Sequence, residues 1–152
     1  MRSKKNKIAL LLLLLPLAGC STPYQEMGLL GGVSSARIDE HTAQIRAQGN
    51  GYTAAATIEM FVMLKSAEET LKDGYEGFQI VGAQDATNVA FAPGYAVASG
   101  TTIAYMPAMG IPMPGGVATI LMLNQADPSW GRQHTYVAAD VVKYLGATLK
   151  KR

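Results

Sequence analysis

The chain has 152 residues, 49% of them hydrophobic and 16% charged, with a formal net charge of +2 and one cysteine. A single cysteine excludes an internal disulfide framework, so the folded part is held by packing alone. Arg2, Lys4, Lys5 and Lys7 are four of the 13 basic residues, and without them nine bases face eleven acids, a net charge of −2 that offers no basic face for nucleic acid.

Those four cations precede an apolar run over residues 8–15, the layout of an export signal. The run is too short to cross a bilayer, which takes about 20 apolar residues in a helix. Leu17-Ala18-Gly19-Cys20 closes it and reads as a lipobox, so cleavage is expected between Gly19 and Cys20, with lipid transfer to the Cys20 thiol. At about 0.8 kcal/mol per buried methylene, several acyl chains anchor durably. Ser21 stands where an Asp would favour inner-membrane retention, which points to the outer membrane, with the domain facing the periplasm. The expected organisation is a leader over 1–19, a lipidated Cys20 and tether over 20–33, and one periplasmic domain over 34–152. Pro23, Gly28, Gly31 and Gly32 suit a tether. Docking of Leu29 and Leu30 is the alternative.

Residues 34–39 and 42–48 form the first expected β-pair, turning at Asp39-Glu40-His41. In the second strand Ala43, Ile45 and Ala47 alternate with Thr42, Gln44, Arg46 and Gln48, the pattern of a half-buried strand. Gly49-Asn50-Gly51 ends it. Thr53 is the expected N-cap of a helix over 54–73. At 100° per residue Ala56, Met60, Met63, Leu64, Ala67 and Leu71 share the core face, with Glu59, Lys65, Ser66, Glu69, Lys72 and Asp73 opposite. Ile58 and Val62 fall on the polar side, as an exposed apolar pair or a contact with a second layer. Glu68 borders the apolar face and is the candidate buried carboxylate. Gly74 suits the left-handed residue that ends the helix, and 75–83 reads as a strand.

Gly31-Gly32, Asp39, Gly49-Asn50-Gly51-Tyr52-Thr53, Leu64, Ala67-Glu68, Thr70-Leu71, Gly74-Tyr75 and Phe78 resemble a family of uncharacterised proteobacterial lipoproteins of the Caulobacter type. The resemblance covers residues 31–81 and, more faintly, 138–145. Val33 departs from it where an aromatic is usual, and so do Ala54 to Ala56 where polar residues often open the helix. It implies a location and a domain type, without a reaction.

Residues 86–116 hold no charge. A neutral segment this long is unlike a solvated loop. Its first reading is two weak strands, 89–98 and 101–106, joined at Ser99-Gly100 and followed by an irregular Pro/Gly loop. The second is a mobile apolar flap that docks on a partner. Met106, Met109 and Met113 are candidate contact residues. As soft thioethers they also suit Cu(I), but no His or Cys stands near them and Met commonly fills cores.

Residues 117–123 form a strand apolar enough for burial on both faces, and Trp130 reads as core-edge packing. A last helix over 138–145 places Val141 and Leu145 in line with Val137, with Gly146 as its end and Lys150, Lys151 and Arg152 as a solvated tail. No nucleophile elbow, metalloprotease His pair, phosphate loop or Cys pair is present. His41 and His134 stand alone.

The expected fold is therefore α+β: an antiparallel or mixed sheet of four to six strands, one long helix across it and a short C-terminal helix. The expected function is a lipid-anchored envelope protein acting by protein interaction at the membrane, with no catalytic residue and no cofactor. Residues 86–116 or the Ile58 and Val62 pair would supply the contact. Binding of a small ligand or metal in the periplasm is the alternative.

Overall fold

The computed structural model describes residues 21–99 and 102–149. The fold is α+β. Five antiparallel strands form the main sheet: β1 (Gly32–Arg37), β2 (Thr42–Gln48), β3 (Gly77–Asp85), β8 (Gly115–Leu123) and β9 (Tyr136–Val137), in the order β1-β2-β8-β3-β9. Helix α1 (Ala55–Lys72) packs across one face, and α2 (Ala138–Leu149) packs beside α1. Four further strands, β4 (Asn88–Ala92), β5 (Tyr95–Ser99), β6 (Thr102–Met106) and β7 (Met109–Met113), pair as β4-β7 and β5-β6.

Alternation decides the core. Ala43, Ile45 and Ala47 of β2, Phe78 of β3, and Ala118, Ile120 and Met122 of β8 are buried beneath Ile58, Phe61, Val62 and Leu64 of α1. Each such large apolar side chain contributes about 1.5–3 kcal/mol when taken fully out of water. Val81 is the residue passed over where the β3–β8 register shifts between Ile80 and Gly82, and it is exposed. On the opposite face Trp130 lies against Gly77, where a β-carbon would come within 2.7 Å of its ring.

The segment expected as a tether is part of the domain. The Thr22 amide donates to Thr53 Oγ1 (2.9 Å), Tyr24 Oη donates to Glu68 Oε2 (2.6 Å), and Lys65 Nζ donates to Glu26 Oε1 (2.8 Å). Gly31 and Gly32, with φ of +94° and +133°, turn the chain into β1 where side chains are strained.

That strap explains why the helix face is rotated from the expected one. Sheet, α2 and strap enclose α1 on three sides. Lys65, Ser66, Glu69 and Thr70 are buried, while Ala56 and Leu71 are exposed. The buried hydroxyls are satisfied within the helix, Ser66 Oγ donating to the Val62 carbonyl and Thr70 Oγ1 to that of Ser66, both at 2.7 Å. The N-cap is Ala54, without a side-chain cap, because Thr53 Oγ1 accepts from the Thr22 amide and donates to Asn50 Oδ1 (3.0 Å). Gly74 ends the helix at φ +85° as expected. In α2 the helix continues through Gly146, which is buried facing Leu64, to Leu149. Burial against α1 outweighs the roughly 1 kcal/mol cost of a helical glycine.

Candidate functional site

The neutral segment is a β-hairpin arm that continues two core strands. β3 pairs with β8 through Asp85↔Gly116, β4 with β7 from Asn88↔Met113 to Ala92↔Met109, and β5 with β6 from Tyr95↔Met106 to Ser99↔Thr102. These pairs keep one uninterrupted register from Gly82↔Thr119 outward. The Pro/Gly stretch expected to be irregular includes strand β7, a correction. Both strands of an isolated ribbon have an outer edge, where a proline loses no ladder hydrogen bond, so Pro112 is tolerated within β7.

Side chains on the arm alternate between its two faces, and large apolar groups stand on both. Phe91 is 77% exposed and Tyr105 71%, with Val89, Tyr95, Val97, Met106, Met109 and Ile111 also exposed. Nothing charged lies between Asp85 and Asp127. The root is fastened to the end of β2: Gln48 Nε2 donates to the carbonyls of Met113 (3.0 Å) and Pro114 (3.1 Å), Asn88 Nδ2 donates to Gln48 Oε1 (3.0 Å), and Ile111 lies against Gly51.

Of the candidate contacts, Met106 and Met109 are exposed on the arm and Met113 is half-buried at its root. Strand alternation puts Met106 on the opposite face from Met109 and Met113, so the three thioethers do not converge as copper ligands. Ile58 and Val62 are core residues, 2% and 8% exposed, which corrects their reading as an exposed pair. Gly19 and Cys20, the cleavage and lipidation residues, lie outside the described residues, as do Gly100 and the basic tail over 150–152.

Beside the root is a cleft of about 550 Å³ between α1 and the half of β3 and β8 nearest the arm. Ile58, Val62, Met63, Ile80 and Val117 give it apolar walls, and Glu59 and Asp85 stand at it. The Asp85 carboxyl is held below the usual range by hydrogen bonds from the Thr87 hydroxyl and amide. Among the described residues no three His, Cys, Asp or Glu side chains gather as a metal site. His41 packs edge-on to Tyr75 and His134 to Tyr136, so they belong to different surroundings. The buried carboxylate is Glu69 rather than Glu68, a correction: Glu68 is half-buried and accepts from the Tyr24 hydroxyl, while Glu69 lies beneath the strap against Lys65. Burial, then the bond to Glu68, pushes the Tyr24 phenol far above its ordinary range.

Gly32 of β1, Gln48 of β2, Gly115 of β8 and Asp85 of β3 fall in line at one end of the sheet. The arm leaves from that end. So does the strap: Thr22 Oγ1 accepts from the Asn50 amide (2.9 Å) and donates to the Leu30 carbonyl (2.8 Å). Leu29 and Leu30 form a tight turn closed by Gly28 and Gly31, Leu29 fully exposed and Leu30 68% exposed, and Tyr52 is exposed on the adjoining loop. No protein-family model, no curated protein and no solved structure matches the chain. Leu29 and Leu30 lie far from Tyr52 in sequence, and the Gly32↔Gln48 pairing together with the bonds of Thr22 to Asn50 and Leu30 sets their two loops at the same end of the sheet.

Proposed function

We propose that this is a lipid-anchored envelope protein, cleaved between Gly19 and Cys20 and acylated on Cys20. It faces the periplasm from the outer membrane and acts by protein interaction at the membrane surface. The lipoprotein family resembled by residues 31–81 fits the same reading. The observation that carries the interaction is the uncharged arm, whose large apolar side chains are exposed on both faces. Contiguous exposed apolar surface marks interaction sites. An anchor also raises the local concentration of the arm for a membrane-bound partner. Site-specific photocrosslinking in cells from position 97 tests it, comparing the native leader with Cys20→Ala and an arm lacking the Phe91 and Tyr105 rings. One discrete adduct, lost in both variants, is expected. The same diffuse neighbours in all three would overturn the interaction.

The cleft supports a second reading, binding of a small apolar ligand between α1 and the sheet. It predicts a saturable rise in melting temperature with such a ligand, abolished by Ala83→Trp. A flat response across fatty acids and aromatic compounds would remove it.

A further inference from the structure

β9 is the last strand of the main sheet and covers only the start of β3. Tyr136 and Val137 pair with Phe78 and Gly77, and further along β3 residues 81–85 are exposed. The ladder decides which backbone groups stand open there. The Ala86 amide donates to the Gly115 carbonyl (3.0 Å), so Ala86 and, at every second residue, Gln84 and Gly82 turn their backbone groups toward β8. Ala83 and Asp85 therefore direct their N–H and C=O groups outward, where no strand meets them among the described residues. The other edge of the sheet is closed at this level. Val33 lies in the same row as Asp85, through Ala47 and Gly116, and it exchanges hydrogen bonds with Gln25 and Met27 of the strap, both at 2.8 Å.

The side chains of Ile80, Ala83 and Asp85 stand on the α1 side of the sheet, in register with Ile120, Ala118 and Gly116, and line the cleft of about 550 Å³. That wall is small. Gly116 has no side chain, and Ala83 and Ala118 present one methyl group each to Ile58, Val62 and Met63 of α1. The lining includes two carboxylates, Glu59 and Asp85, and no Lys, Arg or His. Neither carboxylate enters an ion pair among the described residues. Free main-chain donors and acceptors beside an apolar cleft of negative charge are complementary to an extended peptide that carries a cation.

We propose that the edge of β3 over residues 81–85 takes an extended peptide segment as an added strand in line with β9, with alternate side chains lodged in the cleft. The peptide residue opposite Ala83 shares its face and is apolar, packing toward Val62 and Met63. The residue opposite Asp85, two positions away, is Lys or Arg, because opposite charges directly across a ladder attract. Glu59 on the α1 wall is a second anion for it. The bulge at Val81 precedes this stretch and leaves the pairing of 82–85 regular. The site goes beyond the interaction reading, needing neither the arm nor acylation of Cys20, and it gives the cleft a ligand different from the small apolar one.

A phage library of random nonapeptides panned on the full chain in detergent supplies the probe. Enriched peptides should carry a Lys or Arg two positions from an apolar residue. With one of them bound as a synthetic peptide, hydrogen exchange at the Ala83 and Asp85 amides should slow. Ala83→Pro removes an outward donor and no bond between β3 and β8, as proline on an edge strand does. Affinity for that peptide should fall about tenfold, the worth of a main-chain hydrogen bond left unmade. Glu59→Lys, on the exposed side of α1, decides independently of how Ala83→Pro folds: it should weaken the basic peptide and enrich acidic ones instead. No peptide enriched on the native chain overturns the proposal. Peptides held equally by the native chain and by Glu59→Lys bind elsewhere, and they overturn it too. A melting temperature raised by uncharged fatty acids, with no peptide retained, leaves the cleft to small ligands and overturns strand addition.

Discussion

Thr22 Oγ1 donates to the Leu30 carbonyl at 2.8 Å while accepting from the Asn50 amide at 2.9 Å, so one buried hydroxyl ties the strap to its own leucine turn and to the loop before α1. Thr22→Val keeps the shape and leaves both backbone groups without this partner. A buried group stripped of its hydrogen bond costs about 1–3 kcal/mol. Urea unfolding should show a lower midpoint with an unchanged slope, and hydrogen exchange at Asn50 should accelerate. An unshifted midpoint would mean that the strap contributes nothing to stability.

Lys65 is buried against Glu69 (3.0 Å) and Glu26 (2.8 Å), and Glu69 also meets Lys72 (3.1 Å). Burial works against the Glu69 charge, but hydrogen bonds from Lys65 and Lys72 outweigh it and hold the carboxyl below 4.5. Burial likewise opposes the Lys65 charge, and the two carboxylates outweigh it, holding the ammonium above 10.5. A lowered acid stabilises the fold above its unfolded pKa and a raised base stabilises it below its own. Stability from this cluster is therefore complete between those limits. It falls as pH drops from 4.5 through the folded Glu69 value, and as pH rises from 10.5 through that of Lys65. Denaturant midpoints measured across pH check this, and Glu69→Gln should flatten its share of the acid limb.

The α+β class, β2, the turn at Gly74 and the central strand β8 were legible because alternation and helix stops are local signals. Thr42 to Gln48 shows its buried face residue by residue. The face of α1 was not legible, because the strap that buries Lys65 and Glu69 reads as a proline- and glycine-rich tether until its bonds to Thr53, Glu68 and Lys65 are seen. The missing charge over 86–116 marked the arm as unusual. Its course was hidden by Pro107, Pro112 and Pro114, of which Pro112 fits the free edge of β7 and the other two stand between strands.

Gly77 is the position where Trp130 packs on the sheet face away from the core, and a β-carbon there would lie 2.7 Å from the indole and 2.8 Å from the Tyr136 carbonyl. Gly77→Ala forces the ring or β9 aside, an overpacking cost of about 1–3 kcal/mol. Trp130 is the only tryptophan, so its emission reports the site without ambiguity. A red-shifted native spectrum and a lowered melting temperature are expected. A spectrum identical to that of the native protein would show that the ring does not rest on Gly77.

Phe61 and Phe91 separate core from arm. Phe61 is buried at the helix–sheet junction, edge-on to Tyr24 at 5.4 Å, and Phe61→Ala should cost about 3–5 kcal/mol. Phe91→Ser removes an exposed ring whose strand pairs only with β7, so the stability change should stay within about 0.5 kcal/mol. The same logic extends to the whole arm. The Ala86 amide donates to the Gly115 carbonyl (3.0 Å), and Asp85 faces Gly116, so β3 and β8 remain paired up to that point without it. Replacing residues 88–113 with Asn-Gly leaves Thr87 and Pro114 at the ends of a short turn and preserves the register. Thermal and urea unfolding should then remain cooperative and close to those of the full chain. Loss of cooperative unfolding in the shortened protein would make the arm part of the folding unit, not an appendage available for association.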